Sequence, residues 1–242
     1  MAGTVPEGGD LLAVEMIDAA AIVDELAARG ATSRPLLNET GRQRLLALAR
    51  AMPYRPGRAV IGSGEAVVRQ ELEWSDGFVD GDPFGVLARR YQALWDLALT
   101  DLPSAPFAPP LVFNEMMMTR YEPGWLGITP HRDHATYVNL VALIVLGGEG
   151  RFCVADDRSG ANARAVDGSP GRVILMRAPG FLGSDARPFH FVSDIRASRI
   201  VFGLRQEDPP GARLERARSS RPADTRPTDT QPANTQAGPA SR

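Results

Sequence analysis

The chain contains no lysine, so all 27 of its basic residues are arginine. So one-sided a choice points to a biased genomic composition rather than to a function. Cysteine is nearly absent as well. Cys153 stands alone, which excludes an intrachain disulfide, and its apolar setting, Arg-Phe-Cys-Val-Ala, marks a buried structural thiol rather than a nucleophile. No apolar run is long enough to cross a bilayer. The first ten residues lack the basic stretch that opens a signal peptide. The expectation is a cytoplasmic protein with no membrane partner.

An excess of positive charge is also missing. The formal net charge is −2, and the last 36 residues hold six Arg against five acidic groups, or +1, which leaves −3 for the body. A nucleic-acid binder carries a basic footprint, and the total shows none. Local clustering of arginines could still build one, so nucleic acid stays possible as a partner but is not favoured. What is present describes a soluble globular protein: 43% hydrophobic and 23% charged residues in 242 positions, one ordinary domain plus extensions.

The pattern divides the chain in three. Residues 1–110 read as a flexible leader of ten residues followed by helical support with a first strand. Asp18 can cap a helix over 19–28, stopped by Gly30, and a second helix follows Asn38-Glu-Thr40 up to Pro53. Val67 to Trp74 alternates as a strand, and Pro83 opens a third helix carrying Val86, Leu87, Tyr91, Leu94 and Trp95. Residues 111–207 become a succession of short strands, near 111–121, 127–131, 137–146, 150–155, 163–167, 172–178, 188–193 and 199–205. Gly-rich punctuation between them predicts a double-stranded β-helix, or jelly roll, within an α+β fold. Val138 to Leu146 is apolar almost without interruption, which predicts a central strand covered on both faces. From 208 to 242 the imperfect pentads at Pro222, Pro227 and Pro232 carry no apolar anchors, so this tail is expected to be disordered.

Only three histidines occur, at 131, 134 and 190. His131-Arg-Asp133 followed 59 positions later by His190 offers two imidazoles and one carboxylate. Such a set occupies one face of an octahedral ion and leaves three positions open, which suits a non-haem Fe(II) that binds a cosubstrate and O2 together. Positions i and i+2 of a strand point the same way, so His131 and Asp133 are expected to share a barrel-facing side. Catalytic zinc uses the same ligands and is the rival ion. Downstream, alternation over Arg199-Ile-Val-Phe-Gly-Leu-Arg205 puts Arg199, Val201, Gly203 and Arg205 on one strand face. Two permanently charged forks on that face suit a five-carbon diacid, a clamp that a zinc hydrolase does not need. The alternative is a pair of surface arginines on an edge strand. Met116-Met117-Met118 reads as core packing, and Asp156-Asp157-Arg158-Ser159-Gly160 as a polar turn.

The segment Thr119-Arg-Tyr121-Glu-Pro-Gly124 followed by His131-Arg-Asp133, a distal His and Arg-x5-Arg resembles the AlkB-like branch of the Fe(II)/2-oxoglutarate dioxygenases. The resemblance covers roughly residues 111 to 206. It implies that His131, Asp133 and His190 ligate iron. It also implies that Arg199 and Tyr121 hold the distal carboxylate of 2-oxoglutarate and that Arg205 holds the end nearer the metal. Thr119 stands where the family has Asn at a cosubstrate contact. His134-Ala135 follows Asp133, where base-repairing members have an acidic residue, which disfavours direct nucleobase recognition. The implied activity is oxygenation of an organic substrate, small-molecule or other, with release of succinate and CO2. Oxidative demethylation of alkylated nucleic acid is the alternative, and a non-catalytic metal-binding sensor the alternative of another class. His134, Arg132 and Arg187 are the candidate substrate contacts. The segments Arg177–Phe181 and Asp185–Phe189 read equally as a substrate-covering loop or a plain connection.

Overall fold

The computed structural model describes residues 11–79 and 81–208. The expected leader and the Pro/Thr-rich pentads lie outside the described residues. Three helices form where their caps stand. Helix α1 (Ala19–Arg29) starts at Asp18, whose carboxylate accepts from the Ala21 N–H at 2.9 Å, and ends at Gly30 with φ 76. Asn38 caps α2 (Glu39–Arg50) through the Gly41 N–H at 2.7 Å, and Asp82 caps α3 (Pro83–Thr100) through Gly85 at 2.6 Å. Each buries one stripe: Ile22 and Leu26, Leu45 and Ala49, Leu87, Tyr91 and Trp95.

The strands are β1 (Ala31–Pro35), β2 (Arg55–Pro56), β3 (Val60–Ile61), β4 (Val68–Glu71), β5 (Glu73–Ser75), β6 (Glu115–Tyr121), β7 (Gly127–His131), β8 (Tyr137–Ala155), β9 (Arg164–Val166), β10 (Arg172–Arg177) and β11 (Phe189–Glu207). All pairings are antiparallel. One layer runs β1-β10-β8-β11-β6-β5-β2. The opposite layer is made by β4, β7 and β9 on the other ends of β11 and β8.

That sharing corrects part of the strand reading. Residues 137–146 and 150–155 form one 19-residue strand, and so do 188–193 and 199–205. The glycines at 147–150 bend β8 without ending it. Gly148 has φ 83, and a Cβ there would collide with the Ser198 carbonyl, so the two long strands bulge past each other as they turn from one layer into the other. Their register shifts between Ser193 and Ile200 mark the same corner. Val67–Trp74 does the reverse: read as one strand, it splits at Leu72, with β4 pairing β7 and β5 pairing β6. Strand β1, with a composition of Ala-Thr-Ser-Arg-Pro, had no apolar alternation to announce it and forms because β10 supplies its partners.

Alternation along β8 separates two cores. Leu140, Ala142, Ile144 and Leu146 pack under the three helices with Leu87, Trp95 and Phe202, while Val141, Leu143 and Val145 face the barrel interior with Tyr121, Phe152 and Ile174. The central strand is covered on both faces, as its composition requires. Cys153 is buried, and Met118 packs in the helical core. Asp157 holds its polar turn by accepting from the Ser159 N–H at 2.8 Å. Phe181 packs on Phe107 and Leu182 donates to Pro106, so 177–189 is anchored as a connection rather than free as a cover. Asp208, just past the expected limit of the strand domain, donates its N–H to the Thr136 carbonyl at 2.9 Å.

At the edge next to α1, Glu25 accepts from Arg34 at 2.8 Å and from the Thr32 hydroxyl, and these bonds lower its pKa to about 2. A carboxylate with a depressed folded pKa stabilises above its unfolded value of 4.5 and loses that contribution as pH falls toward about 2. Glu25→Gln is therefore expected to lower the melting temperature at pH 7 and to match the parent below pH 2. The side chain is 37% exposed, so solvent screening holds the effect to under about 1 kcal/mol.

Candidate metal centre

His131 is the last residue of β7, and His190 is the second of β11. The register pairs them directly, so the two imidazoles lie side by side with centroids 4.2 Å apart. Asp133 is not on the strand. The chain leaves β7 after His131, and residues 132–134 form a loop, which corrects the expectation of a shared strand face. The carboxylate still reaches the histidines because the loop folds back, and the Arg187 guanidinium holds it there by donating to the Asp133 carbonyl. Asp133 Oδ1 lies 3.8 Å from His131 Nε2 and 3.6 Å from His190 Nε2, and the three donor atoms all fall within 4.8 Å of one another. Donors each about 2.1 Å from one ion on an octahedral face sit roughly 3 Å apart, so a small contraction completes a site.

The surroundings set the protonation that a metal needs. His131 Nδ1 lies 2.9 Å from the Thr129 carbonyl, to which it donates, leaving the Nε2 lone pair directed at Asp133 and His190. Burial, helped by the neighbouring His190, lowers the pKa of His131 to about 4, so its ring is neutral at neutral pH. Burial alone would raise Asp133, but His190, Arg205 and His131 outweigh it and hold the carboxyl well below its usual range. Because Arg187 fixes the backbone of Asp133 from outside, Arg187→Ala is expected to weaken Fe(II) binding about tenfold by metal titration. Its affinity for 2-oxoglutarate at saturating metal should not change.

The three donors open onto a cavity of about 570 Å³ between the layers. Thr119, Tyr121, Arg199, Val201 and Arg205 all line it, as alternation along β6 and β11 predicts. Neither arginine is a surface residue: Arg199 is 1% exposed and Arg205 6%. Their partners differ. Arg205 donates to Glu115 at 2.9 Å across the strand pair. Burial alone would lower its pKa, but Asp133 and Glu115 raise it. Arg199 has no carboxylate partner among the described residues; one N–H reaches the Gly168 carbonyl at 3.1 Å, and the Nε is buried without an acceptor. Gly168 and Gly150 make room for it, since a Cβ on either would press within about 3 Å of the side chain. Tyr121 is the cross-strand neighbour of Arg199. Burial pushes its pKa up to about 12 against the pull of the two arginines, so its hydroxyl stays a donor.

The three candidate substrate contacts separate. His134 sits exposed at the cavity rim with Nδ1 2.8 Å from Thr136 Oγ1. Arg132 lies 4.1 Å over the Phe189 ring and borders both this cavity and a second cleft outside the barrel. Arg187 borders the outer cleft and not the main cavity. Sequence reasoning missed the apolar lining of the cavity, from Ile61, Val68, Leu72, Trp74 and Ile128, and the ion pair of Glu115 with Arg205. Alternation from Thr119 and Tyr121 would have found Met117, which leaves the Met run's core role to its neighbours. Nothing local announced Trp74.

No family model matches the chain, and no curated protein matches it in sequence. Solved structures do. A Pseudomonas putida prolyl-4-hydroxylase superposes with a TM-score of 0.55 at 15% identity, covering 78% of this chain and 98% of that one. A Trichoplax adhaerens prolyl hydroxylase, solved with a peptide fragment of the hypoxia inducible factor oxygen degradation domain, gives 0.57 at 16% identity over 84% and 93%. The chain shares the fold of these two hydroxylases. OsALKBH1 shares it, with a TM-score of 0.50 at 16% identity over 73% of this chain and 98% of that one. At these identities the likeness is one of fold, and within it the His131–Asp133–His190 cluster lines the cavity between the two layers.

Proposed function

We propose that this protein is an Fe(II)- and 2-oxoglutarate-dependent oxygenase acting on an apolar group of an organic substrate. The observation that carries the reading is Arg199. A cation 1% exposed and without a carboxylate is costly, and it borders the same cavity as the two-histidine, one-carboxylate cluster. A dicarboxylate reaching from the metal to Arg199 would supply the missing counter-charge. A zinc hydrolase has no use for such a residue.

His131, Asp133 and His190 would hold the iron, with the His131 ring neutral and the Asp133 carboxyl ionised at neutral pH. Arg199 would take the distal carboxylate through its fork, with the Tyr121 hydroxyl donating a further bond. Thr119 lines the same wall. Arg205, with Glu115 already neutralising it, would steady the end nearer the metal, where the Asp133 carboxylate raises its pKa against burial. Iron with 2-oxoglutarate and O2 supplies the oxidation of an unactivated C–H bond to an alcohol, the cosubstrate leaving as succinate and CO2. At a carbon attached to nitrogen the same hydroxylation ends in N-dealkylation. The wall of Ile61, Val68, Leu72 and Trp74 would seat an apolar or aromatic group beside the metal and exclude water from it. Cytoplasmic residence would supply both Fe(II) and the cosubstrate.

The test has two stages. Anaerobic Fe(II) plus 2-oxoglutarate should produce a weak visible charge-transfer band, absent with either component alone. Admission of O2 with the right substrate should then release succinate as O2 is consumed. A band without turnover across a broad substrate screen would favour a sensor that keeps the metal and the cosubstrate. No band at all would remove the cosubstrate assignment.

A further inference from the structure

Outside the barrel, against the back of the His190 strand, lies a second cleft of about 510 Å³. Five arginines from distant parts of the chain border it: Arg29 at the end of α1, Arg132 beside Asp133, Arg164 on β9, Arg177 on β10 and Arg187 before β11. Only two carboxylates border it with them, Asp156 and Asp185, and the Asp156 carboxylate accepts from Asn162 at 2.7 Å. Among the described residues no carboxylate comes within salt-bridge distance of Arg29, Arg132, Arg164 or Arg177. Arg164 donates to the Arg29 carbonyl at 2.7 Å, Arg177 to the Ala27 carbonyl at 2.9 Å, and Arg132 lies on Phe189. Neutral partners orient these guanidiniums without cancelling their charge. The Arg177 Nε is buried with no acceptor at all.

A body with a net charge of −3 has thus gathered positive charge at one place. We propose that this cleft binds a phosphate group of the substrate and so anchors a molecule whose apolar part enters the metal cavity. Three facts carry the inference. Four guanidiniums without counter-ions exceed what one carboxylate can accept, while a phosphate or a pair of phosphates offers enough oxygens. The cleft is large enough for such a group. Arg132 borders both the cleft and the metal cavity, so one substrate can span the two. The anchoring role rests on the oxygenase reading, but the binding of phosphate does not. Binding is therefore measured on metal-free protein.

The probes are inorganic pyrophosphate and a short unmodified single-stranded DNA, each titrated calorimetrically against the whole chain and its Arg29→Ala/Arg164→Ala variant. Neither substituted residue borders the metal cavity. Charge-assisted bonds of this kind are worth enough that losing two should weaken binding about tenfold or more. Loss of pyrophosphate binding would support a small phosphorylated substrate. Loss confined to the oligonucleotide would support a polymer whose phosphates use the cleft. The iron and 2-oxoglutarate titrations should be unchanged in the variant. If Ala destabilises the fold, Arg29→Gln/Arg164→Gln keeps a polar side chain at each place and removes the charge, with the same losses expected. Wild-type protein that binds neither probe, or variants that bind both as the parent does, would overturn the proposal, whatever the iron chemistry does.

Discussion

His190→Ala is expected to abolish iron retention and succinate release together, and His131→Ala to do the same. The two imidazoles are directly opposed in the β7–β11 pairing, and among the described residues each contributes one of three donors within 4.8 Å of one another. Removing one leaves a His and a carboxylate, too few to hold an ion against water. Metal content after desalting, measured beside turnover, checks it. Stoichiometric iron in both variants would sink the ligand assignment. The fold should survive, because both rings line the cavity and neither belongs to either hydrophobic core, and the melting transition should stay cooperative.

The second large effect is at Arg199, and it runs in opposite directions for binding and stability. Arg199→Met keeps much of the volume and removes the charge. Losing one partner of a desolvated charge pair costs roughly 2–5 kcal/mol, so 2-oxoglutarate affinity should fall by about 30-fold to several thousand-fold. Without cosubstrate the variant should melt at or above the parent temperature, since the parent buries a cation with no carboxylate partner. The stabilisation that 2-oxoglutarate confers on the parent should vanish. Arg199→Lys keeps the charge and loses the fork, so it should raise the KM for 2-oxoglutarate more than that for substrate. Unchanged cosubstrate affinity in Arg199→Met would move the clamp elsewhere. The parallel change at Arg205 should destabilise the protein, because it strands the partly buried Glu115 carboxylate.

Much of this site could be read before the fold was known. His131, Asp133 and His190 are the one such donor group among the described residues, and period-two spacing placed Arg199 and Arg205 on one face. Both readings use chemistry or local geometry that a strand preserves wherever it packs. The helices were legible for the same reason: Asp18, Asn38, Asp82, Pro83 and Gly30 act within one turn of their own positions. The two long strands were misdivided because the glycines at 147–150 look like a turn in sequence. Only the crossing of Ser198 against Gly148 makes them a bulge.

The sequence by itself determined the donor types of the cluster, the charge of the paired arginines, the helix limits and the two-faced character of Val138–Leu146. These follow from side-chain chemistry and from backbone periods of 3.6 and 2. Tertiary structure alone decided which arginine is paired and which is left bare. Glu115 lies 90 residues from Arg205 in the chain and meets it only through the β6–β11 register. It also decided the apolar wall around Trp74, the hold of Arg187 on the Asp133 carbonyl, and the gathering of five arginines at one cleft of a negatively charged protein. Each depends on residues tens of positions apart, and no local period carries information over that distance.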